Sequence, residues 1–229
     1  MPEDGEMREM NHFMPLHIDM NGKEVAIFGS GSVGERKTRL FSEYAVVTVI
    51  SRNFSDIFLK LEQKGVRLIT ADIGELSDSS IIDIIRKAFL VIPATNDRDV
   101  NKRITYLAKT LGILTNEVDS IGDVTIPSII KREGLTISIS TTGASPAFSR
   151  FTRQQVEKVI TPGFSDMIRI QDEIRTYLKS SVPDQKDRKE ILWAILESKD
   201  AWNALEESYE KGFKIAQDIV KEKICGKVR

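Results

Sequence analysis

The chain has 229 residues, enough for one well-packed core and a smaller second region. With 33 basic against 34 acidic residues, its formal net charge of -1 sets up no global field for nucleic acid or an anionic membrane. A single cysteine, Cys225, excludes an internal disulfide and a thiolate-held zinc or iron–sulfur centre, and it fits a reducing compartment.

The opening "MPEDGEMREMN" is acidic and polar, unlike the basic and apolar regions of a secretory leader. No apolar run approaches the roughly 20 residues needed to span a bilayer. The expectation is a cytoplasmic protein with neither membrane nor nucleic acid as partner.

Four nearly continuous apolar runs then follow: "EVAIF" (24–28), "VVTVIS" (46–51), "VRLITA" (66–71) and "AFLVIPA" (88–94). Such runs suit parallel strands covered on both faces. Between and after them, 33–43, 54–63, 78–86 and 98–111 have helical character. This alternation predicts an α/β fold with an open, doubly wound parallel sheet.

The texture changes after Asn116. "DVTIPSIIKREGLTISIS" alternates, with Leu135, Ile137 and Ile139 interleaved with Thr136, Ser138 and Ser140, as in a half-exposed strand. From Ser145 onward the chain reads as helical. Phe164, Met167, Ile168, Ile174, Tyr177 and Leu178 recur at spacings of three and four, as do Trp202, Leu205, Tyr209, Phe213, Ala216 and Val220. "SSVPDQKDRKE" (180–190) reads as a linker in this helical tail.

The first strand runs into "GSGSVG" (29–34), a GxGxxG with strand before it and helix after it. Gly29 ends the strand, Gly31 lets the backbone approach a pyrophosphate, and Gly34 lets the helix pack close to the sheet. Unpaired N–H groups around Ser30, Ser32 and Val33, at the helix N-terminus, then face the phosphates. The pattern predicts a Rossmann-type dinucleotide site, against the plainer alternative of a strand–turn–helix elbow. The acid usual at the end of the second strand is missing. Ser51 and Asn53 are able to bond a ribose hydroxyl, whereas Arg52 would favour a 2′-phosphate, so the residues leave NAD and NADP open. Thr95 and Asn96 follow the fourth strand, where ligands of such sheets bind; their alternative reading is as cap and turn residues.

Ser145 followed by Pro146 reads as an N-cap with proline in the first turn. The glycine-containing turn before it aims N–H groups outward, and Thr141, Thr142, Arg150 and Arg153 add donors suited to carboxylates; each has the alternative of a capped helix with solvated arginines. His12 and His17, five apart with no third ligand, make no metal site. Arg36 and Lys37 read as solvated first-turn residues, with support of a cofactor phosphate as the alternative, and Trp193 and Trp202 as packing residues rather than a stacking platform. Asp119 in "NEVDS" (116–120) reads either as a turn aspartate before Gly122 or as a carboxylate facing the cofactor cleft.

The collinear segments "PLHIDMNGKEVAIFGSGSVGERKTRLF", "VIPATNDRDVNKRI" and "GILTNEVDSIGDVTIPSIIKREGLTISISTTGASPAFSR" resemble the precorrin-2 dehydrogenase/sirohydrochlorin ferrochelatase family, the dehydrogenase–chelatase part of siroheme synthase. The likeness covers roughly residues 14–155. It implies NAD-dependent oxidation of precorrin-2 to sirohydrochlorin and, in many members, insertion of Fe2+ to give siroheme. It also implies a homodimer that exchanges part of the region after the Rossmann domain, and Asp119 matches the family's catalytic aspartate. The bound macrocycle is rich in carboxylates, which suits the donors of Thr141, Thr142, Ser145, Arg150 and Arg153. The chain departs from the family pattern at Thr142, where a second glycine is common.

The division expected is 1–115 for nucleotide binding, 116–155 for dimerisation and substrate, and 156–229 for a helical domain. A non-catalytic NAD-sensing module is the alternative from another class; it shares the glycine elbow but leaves "NEVDS" and "STTGASP" unexplained.

Overall fold

The computed structural model describes residues 13–118 and 120–227. The chain divides into two compact units, Met1–Ile126 and Pro127–Arg229.

In the first unit, strands β1 (Glu24–Phe28), β2 (Val46–Ser51), β3 (Arg67–Thr70), β4 (Ala88–Pro93) and β5 (Leu114–Thr115) form one sheet in the order β3-β2-β1-β4-β5. All four pairings are parallel. Helices α1 (Ser32–Phe41), α2 (Asp56–Glu62), α3 (Asp78–Ile85) and α4 (Arg98–Thr110) make the connections. The period of two along the strands divides the apolar residues between two cores. Val25, Ile27, Val47, Val49, Leu90 and Ile92 pack with Phe58 and Leu61 of α2. Ala26, Phe28, Ile50 and Val91 pack with Ile81 and Ile85 of α3 and Ile104, Leu107 and Ala108 of α4. Burial on both faces is why β1, β2 and β4 read as continuous apolar runs, whereas β3, expected to be covered likewise, is an edge of the sheet and is largely exposed. Pro93 is tolerated inside the sheet because β5 pairs only with Leu90 and Val91, leaving no ladder bond for a Pro93 N–H on that side.

In the second unit β6 (Ser128–Arg132) and β7 (Leu135–Ile139) form an antiparallel hairpin. Its two-residue turn ends on Gly134, whose φ of +77° is left-handed. Five helices follow: α5 (Pro146–Val159), α6 (Gly163–Ser181), α7 (Gln185–Glu197), α8 (Lys199–Glu207) and α9 (Tyr209–Lys227). Met167, Ile170, Ile174 and Leu178 of α6 pack with Ile191 and Ile195 of α7, Ala201 and Leu205 of α8, and Ala216 and Val220 of α9.

Two features of this tail differ from the sequence expectation. The linker expected over 180–190 shrinks to 182–184, because Asp184 Oδ1 accepts from the N–H groups of Lys186 (2.7 Å) and Asp187 (3.0 Å) and starts α7 at once. The apolar run from Trp202 to Val220 is broken between α8 and α9, where Ser208 is extended and its Oγ accepts from Lys211 N at 3.2 Å. Among the described residues no helix is long and apolar enough to cross a membrane.

Candidate active site

The carboxyl ends of β1, β2, β3 and β4 open onto a cleft of about 740 Å3. Its wall includes Gly29, Ser30 and Gly31 after β1, Ser51 and Arg52 at β2, Asp72 after β3, and Ala94, Thr95 and Asn96 after β4. β1 connects by way of α1 to β2 on one side, while β4 lies on its other side, so the cleft sits where the strand order reverses, the position at which open α/β sheets bind ligands.

Each glycine of the elbow is required for a different reason. Gly29 has a φ of +112°, and a Cβ on it would stand 2.4 Å from the carbonyl oxygen of Ala94. A Cβ on Gly34 would stand 2.0 Å from the carbonyl oxygen of Gly29, so helix and strand meet backbone to backbone. Gly31 is unlike both: its φ is -68°, and a Cβ there would meet nothing within 4 Å. No packing within the protein demands glycine at 31; the space its missing side chain leaves belongs to the cleft. Gly31 is also the N-cap of α1, and no side chain caps that helix. Its first-turn N–H groups are thus left for an anion. A pyrophosphate fits this cradle, and the residues present suit a dinucleotide.

Hydrogen bonds set the rim. Ser30 Oγ donates to the carbonyl of Asn53 (2.7 Å) and lies 2.8 Å from Ser51 Oγ, tying the glycine loop to the end of β2. Arg52 stands 3.6 Å from Asp72, a carboxylate that the sequence reading did not single out. Its sequence signal is its place just after the third strand, one strand beyond the position usual for the acid. Across the cleft, Thr95 Oγ1 donates to Asn101 Oδ1 (2.7 Å), and Asn101 Nδ2 donates to the Thr95 carbonyl (3.0 Å). Asp97 is the N-cap of α4, accepting from Asp99 N (2.8 Å) and Val100 N (3.1 Å). Thr95 and Asn96 therefore precede the cap and line the cleft. Of the other elbow residues, Ser32, Val33, Gly34 and Asn53 do not line it. Lys37 is half-buried rather than solvated; burial, then the neighbouring Arg36, brings its ammonium down to about 8.

A second cavity of about 530 Å3 runs along α4 to the segment after β5. Arg98, Tyr106, Lys109, Glu117, Val118 and Ser120 are among its lining residues, so the two neighbours of Asp119 both belong to its wall. Asp119 itself, like His12, lies outside the described residues. The segment is fastened on each side of that position. Asp123 Oδ2 accepts from Thr115 N (3.0 Å) and Thr115 Oγ1 (2.7 Å), and Asn116 Nδ2 donates to the Val124 carbonyl (2.7 Å). Glu117 accepts from Lys109 Nζ at 3.0 Å and from Ser120 Oγ, and the Lys109 hydrogen bond holds that ammonium above its ordinary range.

In the second unit, Ser145 caps α5 by accepting from Phe148 N at 3.2 Å. Thr141 Oγ1 lies 3.0 Å from the Ser145 carbonyl and 3.1 Å from Ser149 Oγ, and accepts from Ser145 N at 3.0 Å. The side chains of Thr141 and Ser145 thus shape the turn, so any anion they serve is met through the backbone N–H groups that the turn presents. Thr142 has a φ of +50°, a left-handed conformation that is unfavourable for a β-branched residue and that glycine adopts freely. Arg150 is exposed, whereas Arg153 pairs with Glu157 at 2.9 Å. Among the described residues no three His, Cys, Asp or Glu side chains cluster as a metal site.

The family described as putative NAD(P)-binding matches residues 16–128. The chain is 50% identical to the precorrin-2 dehydrogenase of Methanosarcina barkeri over 93% of its own length and 96% of that protein. It is 34% identical to the putative precorrin-2 dehydrogenase of Methanocaldococcus jannaschii, over 86% of its length and 97% of that protein. Among solved structures, SirC, a precorrin-2 dehydrogenase, superposes with a TM-score of 0.70 at 24% identity, covering 91% of this chain and all of that one, and so shares its fold.

Gly31→Val is expected to fold normally, since its Cβ enters open space at an ordinary φ. It should bind dinucleotide about 100-fold more weakly, having lost charge-assisted bonds worth about 1.5–3 kcal/mol each. Circular dichroism and calorimetric titration test both halves. Gly34→Ala, in contrast, should lose thermal stability before any question of binding arises.

Proposed function

The chain belongs to the precorrin-2 dehydrogenase family, and we propose that it oxidises precorrin-2 to sirohydrochlorin with NAD in siroheme biosynthesis. The observation that carries this reading is the uncapped α1 N-terminus behind Gly31, set in a cleft at the reversal of strand order. Bound NAD supplies the hydride acceptor. The residues of the chain orient it: Ser30 and Gly31 at the pyrophosphate, Ser51 toward the adenosine ribose with Asn53 behind it holding Ser30, and Thr95 and Asn96 along the cleft wall.

Removing a hydride from the macrocycle leaves a proton to be taken up, and Asp119 is assigned that general-base role. Thr141, Thr142, Ser145, Arg150 and Arg153 are assigned to the carboxylates of the substrate, with Arg150 the most exposed of the charged donors. The nucleotide work belongs to residues 1–115, substrate recognition and dimerisation to 116–155, and the helical region 156–229 extends the second unit. Insertion of Fe2+, where this chain performs it, uses the metal as a substrate and asks of the same Asp119 that it accept the displaced pyrrole protons. The setting is the cytoplasm, where a chain with one cysteine needs no disulfide.

A homodimer built from residues after about 115 completes the reading. The support for it is apolar surface: Phe148, Phe151 and Val159 of α5 are all exposed. Light scattering at micromolar concentration should return twice the mass of one chain, and a monomer would contradict the assembly.

The loss of one positioned base typically costs a factor of about 10² to 10⁴ in rate. Asp119→Ala should therefore keep its fold and its affinity for NAD yet form sirohydrochlorin at least about 100-fold more slowly. Near-normal turnover would remove Asp119 from the mechanism. Comparing iron uptake into sirohydrochlorin with an enzyme-free control tests the second activity separately.

The Arg52–Asp72 pair generates a further expectation. Asp72 offsets the charge that would draw a 2′-phosphate, so the pair favours NAD over NADP. In Asp72→Asn the guanidinium is left uncompensated, and the preference measured as a ratio of kcat/KM should move toward NADP by about fivefold to tenfold, the scale of an exposed ion pair.

A further inference from the structure

The helical unit carries a site that the proposed oxidation does not use. A groove of about 410 Å3 runs between α6 and α7, and every charged residue lining it is basic: Arg175 and Lys179 on α6, Arg188 and Lys189 on α7. Trp193, 53% exposed, is also part of its lining. The unit's other tryptophan behaves as an ordinary packing residue, donating from Nε1 to the Leu196 carbonyl at 2.8 Å and lying 5.0 Å from the ring of Phe164. Both tryptophans sit at helical spacings that suit packing, but only Trp202 packs against the core, while Trp193 is exposed.

The cations of this groove lack the partners found elsewhere in the unit. Arg153 has Glu157 at 2.9 Å and Arg169 has Asp166 at 3.6 Å, but Arg175, Lys179 and Lys189 form no ion pair among the described residues. Arg188 is held in place by donating from Nη1 to the carbonyls of Val182 and Pro183, both at 2.7 Å, which leaves its other N–H donors unused by those bonds. Gln171 Nε2 donates to the Leu192 carbonyl at 3.1 Å and fastens the two helices across the groove. Like charges four apart on one helix and facing across two helices repel, and the chain as a whole has no basic excess to account for their gathering here. A bound anion would relieve that repulsion.

We propose that the α6–α7 groove binds a flat, conjugated anion, its ring on the face of Trp193 and its acidic groups on Arg175, Lys179 and Lys189. Indole offers a stacking surface, Arg and Lys hold carboxylate or phosphate, and the volume suits one heteroaromatic system or the edge of a larger macrocycle. The inference stands independently of the nucleotide cleft. Two sources supply this chemistry, a carboxylated tetrapyrrole and a nucleotide.

The test uses the full chain with NAD saturating, so that the cleft of the first unit is filled. Trp193 fluorescence in a Trp202→Phe background is titrated with uroporphyrin in one arm and AMP in the other, and calorimetry on the wild-type chain repeats both without relying on that background. Saturable quenching is expected with at least one probe, and the tighter of the two identifies the source. Replacing Arg175, Lys179 and Lys189 together by Gln should weaken that binding about tenfold or more, the sum of several exposed ion pairs, while leaving the fold intact. Absence of saturable binding by either probe, or equal affinity in the triple variant, overturns the proposal.

Discussion

The first unit depends on a place where three stretches of backbone meet without side chains between them. Gly34 of α1 lies against the carbonyl of Gly29, and Gly29 lies against the carbonyl of Ala94 after β4. A methyl group at either glycine would push helix from strand or strand from strand. Thr38, fully buried one turn along α1, donates its hydroxyl to the Gly34 carbonyl at 2.8 Å and so closes the contact without an unpaired polar group. This contact brings the start of α1 to the ends of β1 and β4, and the cleft follows from it.

Capping shows how the unit uses that position. Ser77, Asp97, Ser145, Asp184 and Ser198 each place a side-chain oxygen on the N–H groups of the helix they start. Helices α1, α2 and α6 start without a side-chain cap, and of these three only α1, whose cap is Gly31, starts at the cleft. A helix start left uncapped would lose stability relative to one with Ser or Asp at the cap, by about 1 kcal/mol. That loss is intelligible when an anion takes the place of the capping side chain. Neither Gly29 nor Gly34 discriminates a nucleotide site from a tightly packed elbow, since internal packing alone demands both. Gly31 does discriminate, because only a visitor to the cleft needs its side chain absent.

The strands were legible because both faces are buried, so Val25 to Phe28 and Val46 to Ile50 read as apolar throughout, and the helices between them carried their own periodicity. The glycine elbow was legible because its residues are adjacent in sequence. Other features depend on partners that no local pattern links. Asp72 matters through Arg52, twenty residues earlier, and Asn101 through the Thr95 backbone, with nothing in either local sequence to announce the pairing. In the helical unit, spacing by threes and fours cannot show a break such as Ser208, because the apolar stripe resumes in phase on the next helix. Trp193 sits at a helical spacing that suits burial, yet the face it occupies turns outward with the basic residues.

The segment after β5 brings the same logic to the chemistry. A general base acts only if its carboxylate is held where the proton departs, and a side chain on a surface turn is a poor candidate unless the turn itself is fixed. Here the backbone around position 119 is fixed from several directions. Asp123 grips Thr115, Asn116 grips Val124, Glu117 grips both Lys109 and Ser120, and Gly122 passes so close to the Thr115 carbonyl that a Cβ would stand 2.7 Å from it. Asn116 Oδ1 is buried and has no hydrogen-bond partner among the described residues. A turn of the merely connecting kind has no need of such an arrangement. The rigidity that serves as a packing device at Gly34 serves here to fix Val118 and Ser120 in the wall of a cavity, which is what the general-base role proposed for Asp119 would require of its neighbours.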